Sequence, residues 1–559
     1  MSGWRNEPRR RAWLGLTAFL ALAVLAGLTA GCGRNDATTT PATSAATQPV
    51  RISQRNEPAD LDPATATLPD EFFIIRALGE GLLTPDPKGG PPRPAAAENY
   101  SVSPDGLVYT FHLRQTTWSN GDPVTADDFV AAYRRVLSPA TAATKADLFF
   151  AVKNARAFAT GTLTDFSAVG FRAANARTLI VTLERPTPRF LHYVASGPWI
   201  PTHAPTIARF GRQWTQPGNF VGNGPFTLVE WRPQQHIIVQ KNPRYRAAAS
   251  VALGRLEFLR FDSGDTEDRA YRAGQIDVTM AVPQTKLEVY AQERPAELHR
   301  APVAETRFLT FNTRRTALAD TRVRQALSLA IDRTRIVERV MRGGQEPAWR
   351  FVPPALRASD QPAAHSLTAS ASASTPTSVR DDPTEARRLL AAAGFPEGKG
   401  FPRLELTAWS ASQSVVLEAI QAMWRQELGI EIAVGIREAK VHLAALHSGD
   451  YDISFVTTTA LLDVADPFAL LANFTAGADN NFPHWRSPEF DALLAEAAAQ
   501  PDATAQSALL LRAETTLLDA MPIAPLYFNT RNWLMSPRVQ GWQEDAFWTR
   551  DYTTLRLEP

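Results

Sequence analysis

The feature that most constrains the fold is a run of alternating periodicities between residues 403 and 456. Leu404–Trp409 reads as a strand. Val415, Val416, Ala419, Ile420, Met423, Trp424 and Leu428 fall at helical spacing and stop at Gly429. Ile430–Ile436 reads as a strand, Val441–His447 as a helix and Tyr451–Val456 as a strand. Period two, then 3.6, then two again is the signature of βαβαβ, so at least one domain is α/β. The same alternation is weaker elsewhere. Tyr109–Arg114, Leu179–Leu183, Phe226–Trp231 and His236–Gln240 alternate as half-buried strands. Thr125-Ala126-Asp127-Asp128 has the spacing of a capping box, and the apolar residues from Phe129 to Leu137 follow it at helical spacing. Asp320 starts a helix whose apolar face is Val323, Leu327, Ala330 and Ile331, and Asp382-Pro383 opens another that Gly394 closes.

Length and charge bound the function. The 559 residues correspond to several domain-sized units, and 44% are hydrophobic, enough for real cores. With 58 Lys+Arg against 57 Asp+Glu, the chain lacks the basic excess of a general nucleic-acid binder. The single cysteine allows no internal disulfide, no CxxC pair and no Cys-rich zinc site. The 42 prolines argue against a helical bundle.

That cysteine sits at an informative place. Arg5, Arg9, Arg10 and Arg11 precede an uncharged run from Ala12 to Gly31, the pattern of a secretory signal. Leu28-Thr29-Ala30-Gly31-Cys32 then resembles a bacterial lipobox, with Thr29 where the pattern usually has Leu. Residues 1–31 are read as a lipoprotein signal, Cys32 as the lipidated residue and 32–50 as a flexible tether. An uncleaved membrane anchor is the competing reading. Either one puts the body of the chain outside the cytoplasmic membrane.

Chemistry-bearing motifs are missing. There is no G-x-S-x-G, no H-E-x-x-H and no Walker A sequence. Gly394–Lys399 has the wrong spacing for a phosphate loop and reads as a helix end and turn. Gly222-Asn223-Gly224 lacks the third glycine of a dinucleotide fingerprint. His442 and His447 are five apart on one helix, a poor ligand pair, and read as surface or packing residues. Neither a metal nor a cofactor is expected, and the chain is read as a non-enzyme.

Nine short segments, in order, carry a family resemblance. They are Asn56–Pro63, Gly79–Leu83, Ser103–Arg114, Trp118–Phe129, Gly222–Phe226, Lys241–Tyr245, Gly274–Val278, Asp320–Arg333 and Trp485–Asp491. The most specific is Trp118-Ser119-Asn120-Gly121-Asp122-Pro123-Val124-Thr125-Ala126-Asp127-Asp128-Phe129. Together they resemble the solute-binding proteins of oligopeptide, dipeptide and nickel ABC transporters, family 5, and most of all the oligopeptide-binding ones. The resemblance implies a two-lobed α/β fold of the periplasmic-binding-protein type II class, with an extra domain and a cleft that closes on a hinge. It implies lobe I at 51–92, 218–308 and 525–559, the extra domain at 93–217, and lobe II at 309–524. A low-complexity insertion is expected at 357–382. It implies a lipid-anchored receptor in the periplasm or at the cell surface that delivers oligopeptides to permease and ATPase subunits. A monomer that contacts the membrane through its anchor and binds no nucleic acid is expected.

The resemblance also implies site residues. A cleft that buries a peptide α-ammonium needs a counter-ion. In the family this is an Asp four residues before a Pro, and Asp463-Val464-Ala465-Asp466-Pro467 fits, so Asp463 is the expected amine ligand. Asp466-Pro467 reads as a helix cap. The family often has an aromatic shortly before this Asp, where here the run is Thr457–Leu462. Trp409, Tyr527, Phe149 and Phe150 stand at family positions that contact ligand, with core packing as the alternative role for each. Other solutes on this fold remain open: a dipeptide, a nickel chelate, haem or a sugar. So does an extracellular hydrolase or a chaperone.

Overall fold

The structure is a computed structural model and describes residues 48–87, 90–357, 379–458, 466–544 and 546–558. The signal, Cys32, nearly all of the tether, most of the 357–382 insertion and Asp463 lie outside the described residues.

The βαβαβ expectation holds. Leu404–Ala408, Ile432–Ile436 and Ile453–Thr457 are strands, and the helices Ser414–Leu428 and Ala439–Ser448 connect them. The three strands are parallel, with Leu404–Ala408 in the middle. The 414–428 helix ends where the sequence places its stop, because Gly429 takes a left-handed conformation at φ 69°. Antiparallel to Ile453–Thr457 runs Leu298–Phe311, then Ile523–Leu534, then the short strand Glu346–Pro347, completing six strands. This sheet anchors the largest hydrophobic core, which runs from Ala304 to Tyr527 and includes Trp424 and Phe455.

Two further sheets carry their own cores. Val50–Gln54, Arg255–Arg260, His236–Lys241 and Phe226–Arg232 form one. Its core takes in Ile74 and Leu78, then Phe258, and finally Trp533 and Tyr552. Ala97–Val102, Val108–Leu113, Thr178–Thr182 and Phe171–Asn175 form an antiparallel sheet over the helix Ala126–Leu137. Its core holds Tyr133, Phe149, Phe171 and Trp199. The Thr125–Asp128 capping box is present: Asp128 accepts from the Thr125 backbone at 2.7 Å.

The long strands Leu298–Phe311 and Ile523–Leu534 join the lobes of this two-lobed α/β fold. Trp533 packs in one core, while Phe308 and Ile523 pack in another. Their pairing breaks register between Pro302 and Thr306, where one body gives way to the other.

Several of the motif segments have structural jobs. Asp62 pairs with Arg135 across two cores, with one contact at 2.8 Å. Asn223 exchanges two 2.9 Å hydrogen bonds with the backbone of Glu80. A Cβ on Gly224 would lie 2.5 Å from the Gly79 nitrogen, so the chains can cross there only without a side chain. At the far end of the low-complexity run, Val379 is fully buried and Asp381 pairs with Arg333. Composition alone assigns those residues to the insertion, but packing holds them in the body. The Gly394–Lys399 run is a helix end and turn, as its spacing implies.

Candidate functional site

Trp409 and Tyr527 come together at the carboxyl ends of the parallel strands, where open α/β sheets place their ligands. Both rings flank Phe455, at 6.0 Å and 6.5 Å between centroids. Trp409 is half-buried and follows directly on the strand that ends at Ala408. Tyr527 is 3% exposed and belongs to the core, with burial pushing its hydroxyl up to about 12. Thr457 ends the neighbouring strand, and the buried Thr458 accepts from the Thr306 backbone at 2.9 Å. Residues 459–465, with Asp463 among them, connect Thr458 to Asp466 and lie outside the described residues.

Two residues that the sequence reading passed over sit in this group. Glu305 and Arg307 are two apart on the strand Leu298–Phe311, facing the same side. Arg307 Nε lies 2.5 Å from Glu305 Oε1, and its guanidinium stands over Trp409 at 5.6 Å and over Phe455 at 5.9 Å. Thr457 Oγ1 and Asn529 Nδ2 donate to Glu305 at 2.6 Å and 3.1 Å. His442 packs against Trp409 at 5.6 Å and meets Ser454 at 3.1 Å. Burial, and then the nearby Arg437, push the imidazole down to about 4. It is a packing residue, as the sequence allows.

The second feature is a cavity of about 930 Å³ lined by Asp466 and the helix that follows it. One wall comes from the 93–217 region, with Asp147, Phe150 and Tyr193; the other carries Asp466, Phe468 and Asn480. Tyr193 Oη donates to Asp466 at 2.7 Å across the junction. Asp466 also caps the helix Pro467–Ala472 by accepting from Phe468 N at 2.9 Å. Burial, and then the Asp466 charge, hold the Tyr193 phenol protonated far above its ordinary range. A second strut is Arg189, which donates to the Leu356 carbonyl at 3.2 Å.

The two phenylalanines separate. Phe150 lines the cavity, half-buried beneath Arg156 at 4.7 Å. Phe149 is a correction to the sequence expectation: its ring has no exposed surface and stacks on Trp199 at 4.4 Å and 6°. Successive side chains of this 3-10 turn diverge by about 120°, and here Phe150 meets the cavity while Phe149 meets the core. Among the described residues no group of three or more His, Cys, Asp or Glu could hold a metal ion.

Comparison with known proteins decides the family. Residues 91–482 match the family described as "Bacterial extracellular solute-binding proteins, family 5 Middle". The chain belongs to this family. It is a solute-binding protein of the peptide ABC transporter class and not an enzyme. It is 30% identical over 505 residues to the periplasmic murein peptide-binding protein MppA of Escherichia coli K12, covering 89% of this chain and 91% of that one. It is 32% identical over 499 residues to the probable deoxycholate-binding periplasmic protein YgiS of the same strain, covering 88% and 90%. The solved unliganded open form of MppA matches with a TM-score of 0.76 and 29% identity, covering 91% of this chain and 97% of that one. No helix of the described residues is long and apolar enough to cross a membrane.

Proposed function

We propose that this solute-binding protein captures oligopeptides outside the cytoplasmic membrane and hands them to the permease and ATPase subunits of an ABC importer. Lipid on Cys32 tethers it. The observation that carries the reading is the placement of Thr458 and Asp466, the described residues on either side of 459–465. Thr458 lies beside the aromatic group at the strand ends, and Asp466 lines the 930 Å³ cavity. A carboxylate on that segment, Asp463, is the proposed partner of the peptide ammonium, because a charge enclosed by two lobes needs a counter-charge. Trp409 and Phe150 are proposed as apolar walls, with Tyr527 packed in the core beside Phe455, and backbone pairing along a strand edge would make capture blind to side chains. A division into lobe I at 51–92, 218–308 and 525–559, an extra domain at 93–217, and lobe II at 309–524 is proposed; the separate cores around Phe258, Tyr133 and Phe455 support it in outline, though Phe308 and Tyr527 pack with the lobe II core. The names of relatives such as MppA and the oligopeptide-binding protein OppA of Escherichia coli K12 agree with a peptide ligand.

The test is a thermal shift of the purified protein with pooled peptides of two to six residues, free or N-acetylated. A ligand at a hundred times its dissociation constant stabilises the native state by about 2.7 kcal/mol. The reading predicts a shift with the free pool only, lost in Asp463→Asn. Equal shifts with both pools would refute ammonium capture. The similarity to YgiS favours a second reading, in which the same cleft takes a steroid acid. A shift with deoxycholate and none with peptides would select it.

A further inference from the structure

The two ends of the six-stranded sheet differ in charge. At the end opposite Trp409 and Thr458, the strand Leu298–Phe311 runs out beside Ile453, the first residue of its antiparallel partner. Asn312 ties the chain down there by donating to the Gly449 and Tyr451 carbonyls at 2.9 Å and 2.8 Å. Arg315 takes up the local acids, pairing with Asp452 at 2.8 Å and Asp450 at 3.8 Å. Its neighbour Arg314 is exposed, and among the described residues its guanidinium meets no carboxylate and no hydrogen-bond acceptor. The same holds for Arg486.

These two arginines share one small cavity. Its volume is about 200 Å³, and Arg314, His484 and Arg486 line it with Gly477, Asn481 and a single acid, Asp479. Asp479 also borders the 930 Å³ cavity, whereas the three basic residues do not. The frame around them is fixed. Thr313 donates to the Pro483 carbonyl through its backbone nitrogen at 3.0 Å and its hydroxyl at 2.9 Å. Asn481 Nδ2 donates to the Trp485 carbonyl at 2.7 Å. Between these ties His484 takes a left-handed conformation at φ 54°, and the buried Trp485 separates it from Arg486. Gly449 lets two of the basic groups come close. A Cβ there would lie 2.7 Å from His484 Nε2 and 3.5 Å from Arg314 Nη1. Nε2 has no hydrogen-bond partner among the described residues. Burial, and then the Arg314 charge, hold this imidazole below its ordinary value. Exposed arginines are ordinarily left to water. Here two guanidiniums face one carboxylate around a shared hollow, which leaves a local positive field without a counter-charge.

We propose that Arg314, His484 and Arg486 form an oxyanion site at the far end of this lobe, separate from the cleft, and that its ligand is a phosphate group. The size of the hollow selects a small ion. A volume of about 200 Å³ lies below the roughly 300–1,000 Å³ of sites for drug-sized ligands. It holds one tetrahedral anion and a few waters, each taking roughly 30 Å³. Two guanidinium forks match phosphate oxygens in pairs. Asp479 competes for the same cations and weakens the site. Inorganic phosphate and the phosphate of a lipid headgroup share this chemistry.

The experiment is calorimetric titration of the purified protein with inorganic phosphate, with chloride at matched ionic strength as the control. A short-chain phosphatidic acid, kept below its micelle concentration, is titrated in parallel. The proposal predicts saturable binding of one phosphate group per chain. Binding of inorganic phosphate names a free ion as the source, and binding of the lipid alone names a headgroup. In Arg314→Gln and in Arg486→Gln the affinity falls about tenfold or more, because hydrogen bonds to a charged partner are lost. In Asp479→Asn, which keeps the shape and removes the competing charge, binding tightens about two- to fivefold. Heats no larger than those of chloride with both ligands overturn the proposal. So does binding that survives both arginine variants or weakens in Asp479→Asn. The phosphate titration does not depend on the peptide reading. Where a peptide binds, its affinity in Arg486→Gln stays at the wild-type value, and a parallel loss would put Arg486 in the cleft and overturn a separate site.

Discussion

Tyr193→Phe removes one hydroxyl from the junction between two hydrophobic cores. The helix Phe190–Val194 packs with the core of Tyr133 and Trp199, whereas the helix Pro467–Ala472 packs with the core of the six-stranded sheet. The 2.7 Å bond from Tyr193 to Asp466 crosses between them. Asp466 is 5% exposed and keeps its Phe468 contact in the variant, so one charge-assisted bond is lost and nothing else moves. When the lobes part, both groups return to water. The net loss is then about 1.5 kcal/mol rather than the gross bond energy. That figure is roughly a tenfold change in the ratio of joined to parted forms. If ligand binds only the joined form and the parted form dominates without it, the apparent dissociation constant rises by the same factor. Titration of one peptide into wild type and Tyr193→Phe measures this directly, and small-angle scattering of the free proteins reports the parted fraction. Identical dissociation constants and identical scattering would refute the reasoning.

The other predictions are as follows. Arg333→Ala leaves Asp381 and several buried carbonyls without their donor and should destabilise the lobe by about 3–5 kcal/mol, read as a lower midpoint in denaturant unfolding. Gly224→Ala pushes a methyl into the 78–79 backbone and should cost about 1–3 kcal/mol, seen as a lower melting temperature; an unchanged melt would contradict the close approach. His442 and His192 are both pushed down to about 4, chiefly by burial and then by Arg437 and Arg189. Between pH 6.5 and 4 the unfolded chain therefore binds protons that the folded chain does not. Stability rises with pH across that window and is lost on acidification. Melting at stepped pH should show this slope, and His442→Gln should flatten it.

The parts of this fold that local chemistry dictates were readable from the chain. The βαβαβ unit was, because period changes and the Gly429 stop depend on a few neighbouring residues. The Thr125–Asp128 box was, for the same reason. The βαβαβ reading was also long enough to place Trp409 at a strand end. What escaped depends on contacts far apart in sequence. Arg307 and Glu305 look like ordinary strand residues until Thr457, Asn529 and Trp409 are brought to them. The only local signal is an acid and a base two apart in a strand that also carries His299 and Arg300, which a solvated edge would also show. Tyr193 reads as one aromatic among several in 190–199. Its partner Asp466 reads as a helix cap, which it also is. Phe149 and Phe150 could not be told apart by composition, since choosing between them requires knowing which way the turn faces.

The central claim is that the cleft holds a peptide by its ammonium. Calorimetric titration of one tight-binding peptide and its N-acetylated twin, into wild type and Asp463→Asn, tests it most directly. The account predicts strong binding of the free peptide to the wild type, and at least about a tenfold loss both on acetylation and in Asp463→Asn. It also predicts that the two losses do not add, because each removes the same ion pair. Equal binding of the twins, or additive losses, would contradict it.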